Sequence, residues 1–145
     1  MDIIVDVDGT VAEIQHRLHF VKDVPKRWEE FYGNIENDVP IMPVVRLIQS
    51  LWSDRANSII FCTGRTDNYK PQTVAWLTKH VFRPANLYMR GAGDYRDDSV
   101  VKLELLAQMR ADGFQPILAI EDRKRVVDMW RANGIFCMQV ADGEF

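Results

Sequence analysis

Two aspartates stand two residues apart, directly after a short apolar run near the start of the chain. Asp6 and Asp8 follow residues 3–5 (Ile-Ile-Val), and Gly9 and Thr10 come next. A β-branched run predicts a strand, so both carboxylates would lie at its carboxyl end, where Gly9 lets the chain turn away. One carboxylate can then attack phosphorus while the other handles a proton. A strand that simply ends in a tight Asp-Gly turn is the alternative interpretation.

Polar groups also follow the second apolar run, residues 58–62. Thr63, Gly64 and Arg65 offer a hydroxyl, a backbone N–H and a guanidinium. These three groups are suited to hold phosphate oxygens at the end of a strand. A solvated turn is the alternative interpretation.

Two further positions carry charge that fits the same chemistry. Glu121 and Asp122 end the apolar run 117–120, where acidic oxygens would bind a hard cation such as Mg²⁺, although Asp122 could instead cap a helix. Lys102 lies one turn into a helix predicted to begin near Asp98, so it either points into the cleft or lies on the surface. Together the groups supply a nucleophile, an acid, cationic groups and a metal site, which phosphoryl transfer needs.

The elements that must position these groups alternate along the chain. Strands are predicted over residues 3–5, 58–62, 86–89, 117–120 and 135–140. Helices are predicted to begin at Pro43, at Pro71, at Asp98 or Ser99, and before Val126, with Trp52, Trp76 and Trp130 in the core. This alternation predicts a three-layer, Rossmann-like α/β fold, with a parallel sheet of about five strands and helices on both faces. Such folds bind ligands at the carboxyl ends of their strands.

Residues 11–42 interrupt this alternation. About thirty residues is long for a connection, and the segment is rich in polar and aromatic side chains. We interpret it as a small cap-like insertion after the first strand, partly helical near residues 26–32, that lies over the site. Its Trp28, Phe31 and Tyr32 could stack on a base, but packing of the insertion onto the body is favoured.

Composition limits the class of protein. A chain of 145 residues suits a single domain over residues 1–145, and no apolar run is long enough for a membrane span. The net charge of −3 opposes a broad nucleic-acid-coating surface but allows a small basic pocket. Cys62 and Cys137 form no C-x-x-C pair, which is typical of a reduced, cytoplasmic protein.

The order of these motifs resembles that of the haloacid dehalogenase (HAD) superfamily of phosphatases over essentially the whole chain. Within it, residues 90–104 and 119–145 resemble the 3′-phosphatase domain of phage polynucleotide kinase-phosphatases. Glu121 departs from the aspartate that is more frequent there, and the content of the insertion also differs. The P-loop of the kinase half does not occur in these 145 residues.

The resemblance implies a role for each candidate residue. Asp6 would form an aspartyl-phosphate, and Asp8 would protonate the leaving oxygen and then activate water. Mg²⁺ would be held by Asp6, Asp8, Asp122 and Glu121. Charge on the transferring group would be stabilised by Thr63 and Lys102, with Asp98 behind them, and the phosphate would be bound by Arg17 and Arg65. Apart from the resemblance, Gly64 is a candidate to bind the substrate through its backbone N–H, and Arg96 is a candidate to contact the rest of a nucleotide.

The leading hypothesis is therefore a Mg²⁺-dependent phosphatase that removes 3′-phosphates from nucleic-acid ends, with a possible separate kinase or ligase partner. A nucleotidase that acts on free nucleoside monophosphates is the alternative. A phospho-accepting signalling receiver is a remote third hypothesis. The receiver is disfavoured because Thr63 follows the second strand, while the third predicted strand ends at Met89 with no aspartate.

Overall fold

A computed structural model describes residues 1–143 and shows an α/β fold built on a five-stranded parallel sheet. The strands are β1 (Asp2–Val5), β2 (Ala12–Glu13), β3 (Val39–Pro40), β4 (Ser58–Thr66), β5 (Asn86–Arg90), β6 (Pro116–Arg123) and β7 (Phe136–Gly143). The helices are α1 (Gln15–Lys22), α2 (Trp28–Gly33), α3 (Met42–Ser53), α4 (Lys70–His80), α5 (Asp98–Ala111) and α6 (Lys124–Ala132). Short 3₁₀ turns cover Ile35–Asn37 and Asp67–Tyr69. All five predicted strands and all four predicted helices are present.

The strand order is β5-β4-β1-β6-β7, which makes β1 the central strand. The last residue of β1, Val5, pairs with Phe61 of β4 on one side and with Ile120 of β6 on the other. Because all these pairs are parallel, the residues that follow Val5, Phe61 and Ile120 come together at one edge. The predicted site residues Asp6, Thr63 and Asp122 therefore belong to neighbouring strand ends.

Alternate residues of β1 fill two separate cores on the two faces of the sheet. Ile3 and Val5 pack in the cluster that includes α3 and α4 residues, whereas Ile4 packs in the cluster that includes α5 and α6 residues. Burial on both faces explains why the strand is a continuous apolar run. Trp52 was predicted in the core, but it is 51% exposed and only its ring face stacks on Phe82.

Two strands run further than their apolar residues predict. β4 continues to Thr66 and β6 to Arg123, so the polar site residues lie within strand ends and not in turns. α5 begins at Asp98, although the sequence suggests Asp98 or Ser99 as the capping residue before its first turn. The cap is Asp97, whose carboxylate accepts a hydrogen bond from the Ser99 N–H. Asp98 is instead the first helical residue, and its side chain is buried.

The insertion, residues 11–42, is more ordered than the sequence predicts. The predicted helix near residues 26–32 is α2, whereas α1 was not predicted. β2 and β3 form an antiparallel pair that closes the insertion and returns the chain to the end of β1. Among residues 1–143, no helix is long and apolar enough to cross a membrane.

Candidate active site

Asp6 lies in a buried group of charged side chains at the end of β1. The Lys102 ammonium donates to Asp6 Oδ1 at 2.6 Å and to Glu121 Oε2 at 2.8 Å. The Thr10 hydroxyl lies 3.0 Å from Asp6 Oδ2 and 3.3 Å from Asp122 Oδ1. Three carboxylates from β6 and the β1 end thus share one ammonium and one hydroxyl. We call Asp6, Glu121 and Asp122 the acidic centre.

The acidic centre carries more negative charge than its neighbours neutralise. Burial, followed by the Glu121 charge, raises the pKa of Asp6 to about 7. Burial and the Asp6 charge likewise raise the pKa of Asp122 to about 7. Burial alone would lower the pKa of Lys102, but the surrounding carboxylates hold it well above its usual value, so it stays an ammonium.

The donor set of the acidic centre suits a hard divalent cation. Oxygen atoms from Asp6, Glu121 and Asp122 lie within 4.8 Å of one another, and all three side chains are buried. Carboxylate oxygens are the ligands that Mg²⁺ prefers, and a cation there would relieve their mutual repulsion. Gly9 makes room for this arrangement, because its φ is +83° and a Cβ atom there would overlap the Asp122 carboxylate.

Asp8, two residues from Asp6, has an opposite environment. Arg17 Nη2 donates to Asp8 Oδ1 at 2.8 Å, and Arg65 Nη2 donates to the same oxygen at 2.6 Å. Both arginines are fully buried. Burial alone would raise the pKa of Asp8, but Arg65 and Arg17 outweigh it and hold this pKa well below its usual range. Asp8 is therefore a carboxylate in the substrate-free chain.

Asp38 directly follows the 3₁₀ turn Ile35–Asn37 of the insertion and binds both arginines on the side away from Asp8. Arg17 Nε donates to Asp38 Oδ1 at 2.8 Å, and Arg65 Nη2 donates to Asp38 Oδ2 at 3.0 Å. The Trp76 indole N–H donates to the Asp38 main-chain oxygen at 2.9 Å. Sequence reasoning missed Asp38, because only the β2–β3 pair brings it to the end of β1. We call Asp8, Arg17, Arg65 and Asp38 the arginine clamp.

A cavity of about 750 Å³ opens above both groups. The predicted site residues on its wall are Asp6, Asp8, Gly64, Arg96, Asp98, Glu121 and Asp122. The other predicted site residues, Arg17, Thr63, Arg65 and Lys102, are buried behind this wall. The structure thus brings all the predicted site residues together, one group on the cavity wall and the other buried directly behind it.

The buried Thr63 and the half-exposed Arg96 have partners within the chain. The Thr63 hydroxyl oxygen accepts a hydrogen bond from the Arg65 N–H at 3.2 Å. The Arg96 guanidinium donates to Asp94 at 2.8 Å and to Glu104 at 2.7 Å. Both contacts hold the walls of the cavity in place.

Asp98 connects the acidic centre to the far wall of the cavity. Its carboxylate lies 3.4 Å from the Lys102 ammonium and 3.3 Å from Arg90 Nη2. Gly64 allows this approach, because a Cβ atom at that position would overlap the Asp98 carboxylate. Asp98 thus helps to orient Lys102 towards Asp6, while its own carboxylate lies on the cavity wall.

The aromatic residues of α2 divide between packing and exposure. Phe31 and Tyr32 are buried, and the Arg17 guanidinium lies 4.2 Å from the Phe31 ring centre. Both belong to the apolar cluster that includes β1 residues, and the Tyr32 ring stacks on Tyr69 at 4.9 Å, so the predicted packing onto the body is confirmed, although both also reach the cavity. Trp28 is 39% exposed and lines the cavity.

Comparison with known proteins shows the family. The family model of the polynucleotide kinase PNKP phosphatase domain matches residues 1–145. A protein of Autographa californica nuclear polyhedrosis virus, described as a bifunctional polynucleotide kinase/RNA ligase, is 25% identical over 130 residues, which cover 89% of this chain and 17% of the viral protein. A chain of the Pnkp1/Rnl/Hen1 RNA repair complex has a TM-score of 0.82 and 28% identity, covering 99% of this chain and 43% of that chain.

Solved phosphatase structures share the fold alone. The class C acid phosphatase of Bacillus anthracis has a TM-score of 0.68 and 17% identity, with 99% of this chain and 67% of that chain covered. The present chain spans less than half the length of the viral protein and of the repair-complex chain. Matched over its whole length, the chain belongs to the family of polynucleotide kinase phosphatase domains, within the HAD hydrolases.

Proposed function

We propose that this domain is a Mg²⁺-dependent phosphomonoesterase that removes 3′-phosphates from polynucleotide ends through an aspartyl-phosphate. The observation that carries the proposal is the position of Asp6. It lies at a strand end, buried against Lys102, and on the wall of a cavity. The match of one family model to residues 1–145 supports treating them as a single phosphatase domain.

In the first step, an Asp6 carboxylate oxygen attacks phosphorus, and the bond between phosphorus and the leaving oxygen breaks. The alkoxide that leaves needs a proton, and Asp8 is the acid on the cavity wall beside Asp6. Because the arginine clamp keeps Asp8 ionised in the substrate-free chain, the proton must enter with the substrate. It is carried by the phosphomonoester monoanion, the form favoured below the second phosphate pKa of about 6, and Asp8 passes it to the leaving oxygen. Lys102 opposes the negative charge that gathers near Asp6.

In the second step, water attacks phosphorus of the aspartyl-phosphate, and the bond to the Asp6 oxygen breaks. Asp8 accepts the proton from that water, because it is a carboxylate at this stage, and its lowered pKa favours release of the proton afterwards. Orthophosphate leaves, Asp6 is regenerated, and the proton passes from Asp8 to solvent. Asp8 thus returns to the carboxylate that the clamp favours.

The carboxylates of the acidic centre have different partners. Both Glu121 oxygens are engaged, Oε2 by Lys102 at 2.8 Å and Oε1 by the Asp122 and Arg123 N–H groups at 3.2 and 3.3 Å. We therefore propose Asp6 and Asp122 as the direct Mg²⁺ ligands, with Glu121 holding Lys102. When bound, Mg²⁺ would offset the repulsion between an anionic nucleophile and an anionic phosphate.

The polynucleotide substrate rests on the relatives. One is described as a kinase/RNA ligase and another is part of an RNA repair complex, so we propose that kinase and ligase activities act on the same ends. They would reside in a separate partner or in further domains. Both cysteines are free and buried, which fits a reducing, cytoplasmic setting.

The test is release of inorganic phosphate with Mg²⁺, with EDTA and the Asp6→Asn chain as controls. The substrates are a 3′-phosphorylated oligonucleotide, its 5′-phosphorylated twin, and 3′- and 5′-nucleoside monophosphates. We expect the 3′-phosphorylated oligonucleotide to be hydrolysed fastest. Faster hydrolysis of a free monophosphate would keep the mechanism and overturn the polynucleotide substrate in favour of a nucleotidase.

A further inference from the structure

Tyr95 displays an aromatic ring on the wall of the active-site cavity. The residue is 82% exposed and lies in the loop 91–97, between β5 and α5. Within residues 1–143 the Tyr95 side chain makes no hydrogen bond and no ring contact. A large ring left in water at the mouth of a polar site offers a face on which a flat ligand can stack.

The loop that carries Tyr95 is held on both sides of the ring. Arg90 Nη1 donates to the main-chain oxygens of Asp94 at 3.1 Å and Arg96 at 2.7 Å. Arg96 in turn donates to the carboxylates of Asp94 and Glu104. These contacts fix the backbone that carries the ring, so a ligand that stacks on Tyr95 orders only its side chain and not the loop.

The opposite segment of the chain contributes a second aromatic residue and positive charge to the same cavity. Trp28 is partly exposed there, with the Lys26 ammonium 5.5 Å from its ring centre. Lys22 also lines the cavity, together with the acidic Glu29. Lysines beside exposed rings are the combination that single-stranded nucleic acids contact, through backbone and base respectively.

We propose that Tyr95 is the stacking platform for the nucleobase of the phosphorylated terminal nucleotide. This inference rests on the proposed function, because it places the phosphate at Asp6 and the base of the same nucleotide at the cavity wall. The terminal base of a nucleic-acid end has at least one face that no neighbouring base covers, and this face can stack on the Tyr95 ring.

The experiment compares two single-stranded 3′-phosphorylated oligonucleotides that differ only in the terminal nucleotide, one with thymine and one abasic. The chains are wild type, Tyr95→Ala, Tyr95→Phe and Phe136→Ala. Phe136 is a matched control, because it is 74% exposed and lies outside the cavity. The readout is the ratio of kcat/KM for the thymine substrate to kcat/KM for the abasic one.

We expect Tyr95→Ala to lower this ratio by about 5- to 150-fold, the range that corresponds to loss of one base–aromatic stack. Tyr95→Phe, which keeps the ring, and Phe136→Ala should leave the ratio within about twofold. An equal loss on both substrates, or no change in the ratio with Tyr95→Ala, overturns the platform.

A second measurement separates this inference from the proposed function. The anisotropy of both oligonucleotides, labelled at the 5′ end, is followed with the Asp6→Asn chain, with and without Tyr95→Ala. Weaker binding of the thymine substrate alone supports the platform whatever the reaction is. If wild type hydrolyses only free monophosphates, the ratio of kcat/KM for a nucleoside monophosphate to kcat/KM for ribose phosphate is measured instead. A ratio that Tyr95→Ala leaves unchanged would again overturn the stacking platform.

Discussion

Two carboxylates two residues apart in the same motif have opposite electrostatic environments. Asp6 faces two other carboxylates and one ammonium, and its pKa is raised to about 7. Asp8 faces two buried arginines, and its pKa is held well below the usual range. The neighbours, and not the residue type, therefore separate the two carboxylates, and on this ground we propose that Asp6 holds a cation and that Asp8 transfers protons.

The substitution Asp6→Asn tests this difference between Asp6 and Asp8 most directly. We expect turnover to fall at least about 10³-fold, because an amide oxygen cannot form the aspartyl-phosphate. The free energy of unfolding in EDTA should stay the same or rise, because a costly buried charge is removed. Phosphate release and urea denaturation measure the two quantities. Turnover within tenfold of wild type would refute Asp6 as nucleophile.

The same substitution at Asp8 should have the opposite effect on stability. Asp8→Asn leaves Arg17 and Arg65 buried with a weaker partner, so the free energy of unfolding should fall. Equal effects of Asp6→Asn and Asp8→Asn on stability would contradict the difference between the two environments.

Removing the anchor of the clamp should have the largest effect on stability. Asp38→Ala removes one of the two carboxylates that the fully buried Arg17 and Arg65 share and leaves them only Asp8, so we expect a loss of up to about 3–5 kcal/mol. Asp128→Ala breaks only an exposed pair with Lys124 and should change stability by about 0.5 kcal/mol or less. Urea denaturation compares the two chains.

If Asp38→Ala is too unstable to study, Asp38→Asn keeps the shape and removes the charge. We expect kcat to fall, because Arg17 and Arg65 no longer hold Asp8 in one geometry. A wild-type kcat in a folded Asp38→Asn chain would show that Asp38 serves stability alone.

The acidic centre was more predictable from sequence than the clamp. Apolar β-branched runs identify β1 and β6, and their carboxyl ends place Asp6 and Asp122 side by side. These two steps use a local pattern and a general rule of parallel sheets. For Lys102 the helix spacing left the cleft and the surface open, and only the family resemblance assigned it to the site.

The clamp depends on contacts that no local pattern shows. α1, which carries Arg17, has only Arg17 and Leu18 buried, so its apolar spacing does not predict a helix. Asp38 reaches Arg17 across 21 residues of the insertion. Arginine is most often exposed, and only the structure shows that Arg17 and Arg65 lie behind Asp8. The contact of Arg17 and Arg65 with phosphate, which the sequence analysis predicts, therefore remains a prediction.

A pH series sharpens the electrostatic difference between the two environments. Because the pKa values of Asp6 and Asp122 are raised to about 7, the folded chain binds protons between pH 4 and 7 that the unfolded chain releases. Without metal, stability contributed by these groups therefore falls as the pH rises through that window. Asp8, with its lowered pKa, adds stability that is lost only in stronger acid, as the pH falls through its folded pKa.

Mg²⁺ should reverse this loss, because it competes with the same protons. We expect Mg²⁺ to raise Tm more at about pH 8 than at about pH 5.5. At millimolar Mg²⁺, each tenfold gain in the affinity of the folded chain for Mg²⁺ corresponds to a rise in Tm of roughly 3–6 °C. Thermal unfolding with Mg²⁺ or EDTA measures the shift, and Asp122→Asn, which removes one proposed ligand, should lower the gain in Tm at both pH values. An equal gain at both pH values would contradict metal binding at the acidic centre.

The smallest effect concerns an exposed arginine, in contrast to the two buried in the clamp. The Arg96 guanidinium is held by Asp94 and Glu104, so we expect it to brace the loop and not to bind phosphate. Arg96→Ala and Glu104→Gln break the same contact and should each lower kcat/KM for the thymine substrate by less than about fivefold. A direct contact between Arg96 and the phosphate would instead make Arg96→Ala far more damaging than Glu104→Gln, on the abasic substrate as well. The pair of variants thus separates an arginine that positions a wall from one that binds the substrate.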